Sequence, residues 1–268
     1  MRFLSRRRRH PAAKPLSLVL ALFVMGFIYS AVGSATTSQA ESNTPGETQI
    51  TRGKELFEQN CSSCHGLNGE GTPEAPTLIG VGAASVDFQM ETGRMPMARP
   101  EAQAPRKGTD FTPEEISAIA AYVASLAPGP AIPQKKQYDP SGLSPEEIAR
   151  GGELFRTNCS ACHNFEGGGG ALPNGRHAPS LKGVQPKHIY EAVRTGPQQM
   201  PLFSNDSLTD EDVTQIIGYL NTLHEEPQGG LTLGGLGPVG EGAFIWTLGL
   251  GFLIGVAMWL ARKGARAR

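Results

Sequence analysis

A chain of 268 residues has room for one large domain or two of ordinary size. Its 34 Gly and 21 Pro stop short of low complexity, and 39% hydrophobic residues suffice for a packed core, so collagen and wholesale disorder are excluded. Four Cys are too few for a disulfide-stapled mini-domain, and a net charge of -1 argues against a bulk nucleic-acid binder.

That near-neutral sum hides a sorting of charge along the chain. Arg2, Arg6, Arg7, Arg8, Arg9 and Lys14 open the sequence without an acid, and Arg262, Lys263, Arg266 and Arg268 close it in the same way. The body between them holds all 25 acids and a formal charge of -11.

Residues 1–40 pair the basic start with an apolar run at 16–32, ending in Ser38-Gln39-Ala40. This pattern fits a retained anchor helix and a cleaved secretory signal equally well. At the other end, residues 242–261 are 20 uncharged residues, which at about 1.5 Å per residue span the hydrocarbon core as a helix. Trp246 and Trp259 sit near its two ends, and Gly251 and Gly255 are spaced for close packing on another helix. The positive-inside rule places both basic ends in the cytoplasm, provided the first helix is retained, and the acidic body outside the cell membrane.

The body contains an internal repeat. Residues 52–71 (RGKELFEQNCSSCHGLNGEG) and 150–169 (RGGELFRTNCSACHNFEGGG) match at 12 of 20 positions with an offset of 98. Residues 111–126 likewise align with 208–223: each has a Thr N-cap, acids in the first turn and apolar residues at helical spacing. Thr112-Pro113-Glu114-Glu115 and Ser144-Pro145-Glu146-Glu147 carry capping-box spacing with Pro at the first helical position. The expected division is a first domain at 48–127, a Pro-rich linker at 128–143, a second domain at 144–226, a Gly-rich linker at 227–241, the membrane helix at 242–261 and a basic tail at 262–268.

The chemistry lies inside the repeat. Cys61-Ser62-Ser63-Cys64-His65 and Cys159-Ser160-Ala161-Cys162-His163 are both C-x-x-C-H, and together they use every cysteine in the chain. Thioether attachment of a haem needs two thiols about one helical turn apart, and the adjacent His65 or His163 then supplies the proximal iron ligand. A zinc site shared between knuckles 98 residues apart, a thioredoxin-like pair without a βαβ context, and structural disulfides all fit this pattern less well. For the distal ligand, Thr92-Gly93-Arg94-Met95-Pro96 and Thr195-Gly196-Pro197-Gln198-Gln199-Met200-Pro201 share a Thr-Gly lead-in and a Met-Pro end. They nominate Met95 and Met200. Met90 and Met97 are rivals in the first copy, and His177 or His188 would instead give a bis-His site in the second, although neither has an equivalent in the first. A thioether ligand favours ferrous iron and raises the reduction potential.

With these parts in order, each copy resembles the class I cytochrome c family: an opening helix with Gly53 and Phe57 (or Gly151 and Phe155), C-x-x-C-H, Met-Pro, and a closing helix bearing Tyr122 or Tyr219. The resemblance implies an all-α protein of two tandem class I cytochrome c domains whose helices cross beside two covalently bound haem c groups. Two such domains followed by one C-terminal transmembrane helix are similar to the dihaem subunit, cytochrome cc, of the actinobacterial-type cytochrome bc complex. That likeness implies a cytochrome b subunit and a Rieske iron-sulfur protein as partners in menaquinol oxidation, and an aa3-type cytochrome c oxidase as acceptor. A cbb3-type oxidase subunit usually carries its anchor before the haem domains, and a soluble c4-type carrier lacks the span. A dihaem peroxidase or gas-binding protein needs an open iron position, which the two Met-Pro segments disfavour. From Met95 to Thr112 is 17 residues against 9 from Met200 to Thr209, and this longer loop, with residues 97–109, is expected either to dock a partner or to be a solvated insertion.

Overall fold

The computed structural model describes Pro15 and residues 19–26, 45–225 and 238–266. The chain divides into two compact units, Met1–Arg52 and Gly53–Arg268. In the first, residues 19–26 are helical and their side chains exposed. The rest of the expected anchor or signal segment lies outside the described residues, as does most of the Gly-rich linker.

The first copy of the repeat is built from α1 (Pro45–Asn60), the single turn α2 (Ser62–His65), α3 (Gly82–Glu91) and α4 (Pro113–Leu126). The second copy repeats the order with α5 (Pro145–Asn158), α6 (Ser160–His163), α7 (Pro186–Thr195) and α8 (Asp210–Glu225). A 3-10 turn at Lys135–Gln137 interrupts the Pro-rich linker, and a two-stranded antiparallel ribbon, β1 (Gly170–Ala171) with β2 (His177–Ala178), is inserted into the second copy.

The caps predicted for the helices form as expected. Thr112 Oγ1 accepts from Glu115 N at 3.3 Å while the Glu115 carboxylate accepts from Thr112 N at 3.0 Å, and Ser144 and Glu147 do the same for α5. Thr209 and Asp212 make a shorter-armed version on α8, both bonds 3.1 Å. Each box satisfies two backbone donors that the helix itself leaves unpaired.

The opening and closing helices of each copy cross at a glycine. A Cβ added to Gly53 would lie 1.9 Å from the Ala118 carbonyl oxygen, and one added to Gly151 only 2.0 Å from that of Gln215. The crossing therefore depends on the absence of a side chain. One turn on, Phe57 and Phe155 are fully buried and meet Tyr122 and Tyr219 with ring centroids 5.2 and 5.8 Å apart. Ile116, Ile119 and Val123 complete the first core; Val213, Ile216, Ile217 and Leu220 complete the second. Burying each of these side chains contributes about 1.5–3 kcal/mol.

The two copies pack through the middle helices, α3 against α7. Here Lys187 pairs with Asp87 and, at 3.0 Å, with Glu91; His188 Nε2 contacts the other Glu91 oxygen at 2.7 Å. The fully buried Glu191 lies beside Asp87. Burial first, and the hydrogen bond to Asp87 next, push its pKa up to about 10, so it stays protonated at neutral pH. At the C-terminal end, α9 (Pro238–Ile245), a π-helical turn (Trp246–Leu250) and α10 (Gly251–Arg266) run on into one helix. Residues Val239–Gly264 of it are long and apolar enough to cross a membrane, extending past both ends of the predicted 242–261 span, and nothing covers its side chains. Lys263 rests its ammonium 4.2 Å from the Trp259 ring centre, as expected of a basic side chain reaching for a membrane boundary.

Candidate functional site

Both C-x-x-C-H motifs adopt the same backbone. Cys61 N and Cys159 N each donate to the carbonyl one turn back, Phe57 O and Phe155 O at 2.8 Å, so each motif starts as a continuation of the opening helix. A tight turn follows: Cys64 N and His65 N both donate to Cys61 O, at 3.2 and 2.9 Å, and Cys162 N and His163 N to Cys159 O, at 3.1 and 2.9 Å. The turn sets the two thiols of each pair near enough to act on one another electrostatically. It ends on Gly66 in one copy and Asn164 in the other, at φ 80, ψ 160 and φ 66, ψ 171, a conformation free of cost for glycine and strained for asparagine.

The histidine rings are held by two prolines that the motifs alone did not single out. His65 Nδ1 lies 2.8 Å from Pro76 O, and His163 Nδ1 lies 3.0 Å from Pro179 O. A carbonyl can only accept, so in each ring Nδ1 carries a proton, which leaves Nε2 as the nitrogen that can bind a metal. The signal was present as a second repeat, Ala75-Pro76-Thr77-Leu78 and Ala178-Pro179-Ser180-Leu181. Leu78 N and Leu181 N anchor it to Gly69 O and Gly167 O at 2.7 Å in both copies. Burial lowers the pKa of His163, with the Pro179 carbonyl opposing, and the ring is neutral. Burial, and then the neighbouring thiol, push Cys61 and Cys159 up to about 11, so both stand as thiols in the bare polypeptide. All four cysteines are free of disulfides.

In the second copy these groups open onto a cavity of about 410 Å³. Cys159, Cys162 and His163 line it together with Met200, and Phe155, Ile189 and Leu220 form its apolar floor. The structure thus brings the four predicted residues of this copy to one cavity. In the first copy Met95 is half-buried just after α3, its N donating to Gln89 O at 3.0 Å. Its rival Met90 lies on α3 at the position Val193 occupies on α7, counting from the shared Thr-Gly, and both are buried core residues. Met97 is half-buried in the following loop. His188, the rival in the second copy, is buried with Nε2 committed to Glu91, and His177 is exposed, bonded through its backbone to Gln103.

The residues therefore fit a covalent haem in both chemistry and space: two thiols on one turn, an imidazole with Nε2 available, and in the second copy a largely apolar cavity with a thioether in its wall. The long loop of the first copy also has a place. Gln103 Nε2 donates to His177 O at 2.6 Å, His177 N to Gln103 Oε1 at 3.0 Å, Arg176 Nε to Ala102 O at 3.1 Å, and Gln198 Nε2 to Ala104 O at 3.3 Å. Part of the loop thus seals against the second copy, and residues 103–106 form part of that copy's cavity wall, while residues 98–102 and 105–109 stay exposed.

Comparison with known proteins matches residues 50–127 to the family described as Cytochrome c and residues 146–220 to that described as Cytochrome C oxidase, cbb3-type, subunit III. The body is therefore two cytochrome c domains in a largely helical chain. The chain is 44% identical over 260 residues to the cytochrome bc1 complex cytochrome c subunit of Mycobacterium leprae, covering 94% of this chain and 87% of that one. It is 40% identical over 271 residues to the subunit of the same description from Corynebacterium diphtheriae, covering 96% of each. The cbb3-type cytochrome c oxidase subunit FixP of Bradyrhizobium diazoefficiens is 29% identical over 170 residues, which is 59% of this chain.

Proposed function

This chain belongs to the family of cytochrome bc1 complex cytochrome c subunits, and we propose that it takes electrons from a Rieske iron-sulfur protein and delivers them to an aa3-type terminal oxidase. Within a bc1 complex it works beside the cytochrome b and Rieske subunits as the acceptor side of a proton-translocating quinol:cytochrome c reductase; alone it is an electron carrier. It holds two covalent haem c groups. When bound, these supply one-electron exchange between ferric and ferrous iron.

The chain's own residues do the rest. Cys61 with Cys64, and Cys159 with Cys162, fix the groups by thioether bonds. His65 and His163, held by Pro76 and Pro179, would offer Nε2 to the irons. Met95 and Met200 would supply a thioether to each iron, which would leave no position for a substrate, and the apolar lining of the second copy's cavity would exclude water. The helix Val239–Gly264 anchors the chain in the membrane. The acidic body stands outside the cell, and Arg262 and Lys263 mark the cytoplasmic end by the positive-inside rule.

The observation that carries this reading is the duplicated turn in which each motif histidine is held through Nδ1 by a proline carbonyl. A disulfide has no use for a positioned imidazole, and a zinc knuckle has none for the largely apolar cavity that Cys159, Cys162, His163 and Met200 line together. The test is to purify the native membrane complex, stain its denatured subunits for haem and weigh this one. Two added haems and co-purifying cytochrome b and Rieske subunits are expected. A mass equal to that of the amino acids alone overturns the reading.

A further inference from the structure

The cavity of the second copy has an unusual charge. Its wall includes three arginines, Arg94 and Arg106 from the first copy and Arg176 from the second, and no Asp or Glu. Yet the body as a whole carries an excess of acids, and several of its other cations are paired: Arg194 with Asp210, Arg150 with Asp212, Lys187 with Asp87 and Glu91. Among the described residues Arg94 and Arg106 have no carboxylate partner. Arg94 is half-buried, with its guanidinium 4.8 Å from the centre of the Phe88 ring, itself part of the wall. Burial, and then the nearby charge of Arg106, lower its pKa. Two cations held near each other, one partly desolvated, cost free energy unless an anion joins them. Arg176 spends Nε on Ala102 O, pinning the loop, and retains its terminal nitrogens.

We propose that Arg94, Arg106 and Arg176 bind the two propionate carboxylates of the haem held by Cys159 and Cys162, so that the first domain completes the haem site of the second. This rests on the haem reading of that motif. The guanidinium fork matches a carboxylate with two parallel hydrogen bonds, which an ammonium cannot do. Three cations facing two carboxylates leave one positive charge in excess, and that charge favours the reduced group. The inserted loop thereby serves the second site: residues 102–106 carry Arg106 to the mouth of the cavity, and Gln103 and Ala104 hold them there through the bonds to His177 and Gln198. The second site's potential is consequently tied to the docking of the first domain.

The test uses the full membrane-anchored holo-chain and a spectroelectrochemical titration resolving both haems, assigned with the ligand variants Met95→His and Met200→His. In Arg94→Gln/Arg106→Gln, the second haem's reduced-to-oxidised ratio at fixed potential should fall roughly tenfold per charge removed, or ~59 mV for a one-electron couple. Its potential should also begin to fall with rising pH near neutrality, because an unpaired propionate takes up a proton on reduction. The first haem, whose ligand Met95 follows Arg94 directly, should move by much less. Arg94→Lys/Arg106→Lys should keep most of the potential, and Arg99→Gln, on the same loop but paired with Glu101, should change nothing. If the double variant does not mature, Arg106→Gln alone, an exposed site, should give about half the shift. Two attached haems with the second potential unmoved, or both shifted equally, overturn the anion-binding wall while leaving the haem reading intact; absence of haem overturns that reading itself.

Discussion

Replacing Gly151 with alanine tests the helix crossing on which the second site is built. The new Cβ falls 2.0 Å from Gln215 O and 2.3 Å from its carbonyl carbon, both backbone atoms that no rotamer can move aside. The helices must separate by more than about 1 Å to restore van der Waals contact, lifting Phe155 from the Tyr219 ring and loosening the floor of the cavity. Overpacking of this kind costs about 1–3 kcal/mol, and the backbone clash puts this site at the upper end. Alanine returns about 1 kcal/mol of helix propensity. The net loss of about 2 kcal/mol is a fall in Tm of roughly 8–16 °C for a domain of this size. Thermal unfolding followed in the Soret and far-ultraviolet bands reads it directly. Gly46→Ala, in the first turn of α1 with nothing within 4 Å, is the matched control and should not lower Tm. An unchanged or raised Tm for Gly151→Ala would mean that propensity decides and the crossing is not tight.

Met200→Ala should open the distal side of the second haem, so that carbon monoxide binds the reduced protein at one haem and the far-red thioether band drops by half; no binding at either haem refutes the assignment of Met200. Ser144→Ala removes the acceptor that caps α5 and should cost about 1 kcal/mol in denaturant unfolding, while Glu153→Ala, at an exposed position inside the same helix, serves as comparison. For Glu191, whose pKa rises from 4.5 to about 10 on folding, the folded chain holds a proton that the unfolded chain has released, so its contribution to stability declines as pH rises through that window. Glu191→Gln should therefore flatten the fall in stability between about pH 6 and 9 and stabilise the protein by about 2 kcal/mol at the alkaline end; equal slopes in the variant and the parent would refute it.

What the sequence made legible was whatever is local and repeated. The C-x-x-C-H turns, the three caps and the glycine crossings depend on residues within one or two helical turns or on helix faces of fixed periodicity, and two copies give each signal twice. The middle helices α3 and α7 escaped notice because each is ten residues long and neither has a capping side chain at its N-cap, Val81 and Gln185. Their apolar faces are also interrupted by Asp87, Glu91, Lys187, His188 and Glu191, polar residues that a pattern of burial places at the surface. Those interruptions acquire meaning only when the helices meet, since each charge finds its partner on the other copy.

The same reasoning accounts for the contacts of the long loop that its sequence did not announce. Its Pro, Ala and charged residues read as solvated, and nothing within residues 97–109 says that their partners lie about 74 to 94 positions further on, at His177, Arg176 and Gln198. A duplicated domain with one lengthened loop need not use the extra length outward. Two copies of one fold, joined by a short stiff linker, already face each other, and the lengthened segment of one can reach the open edge of the other. The asymmetry between the copies, two extra residues before Met200 and the longer loop after Met95, marks where duplication gave way to specialisation: one half of the molecule became part of the other's pocket.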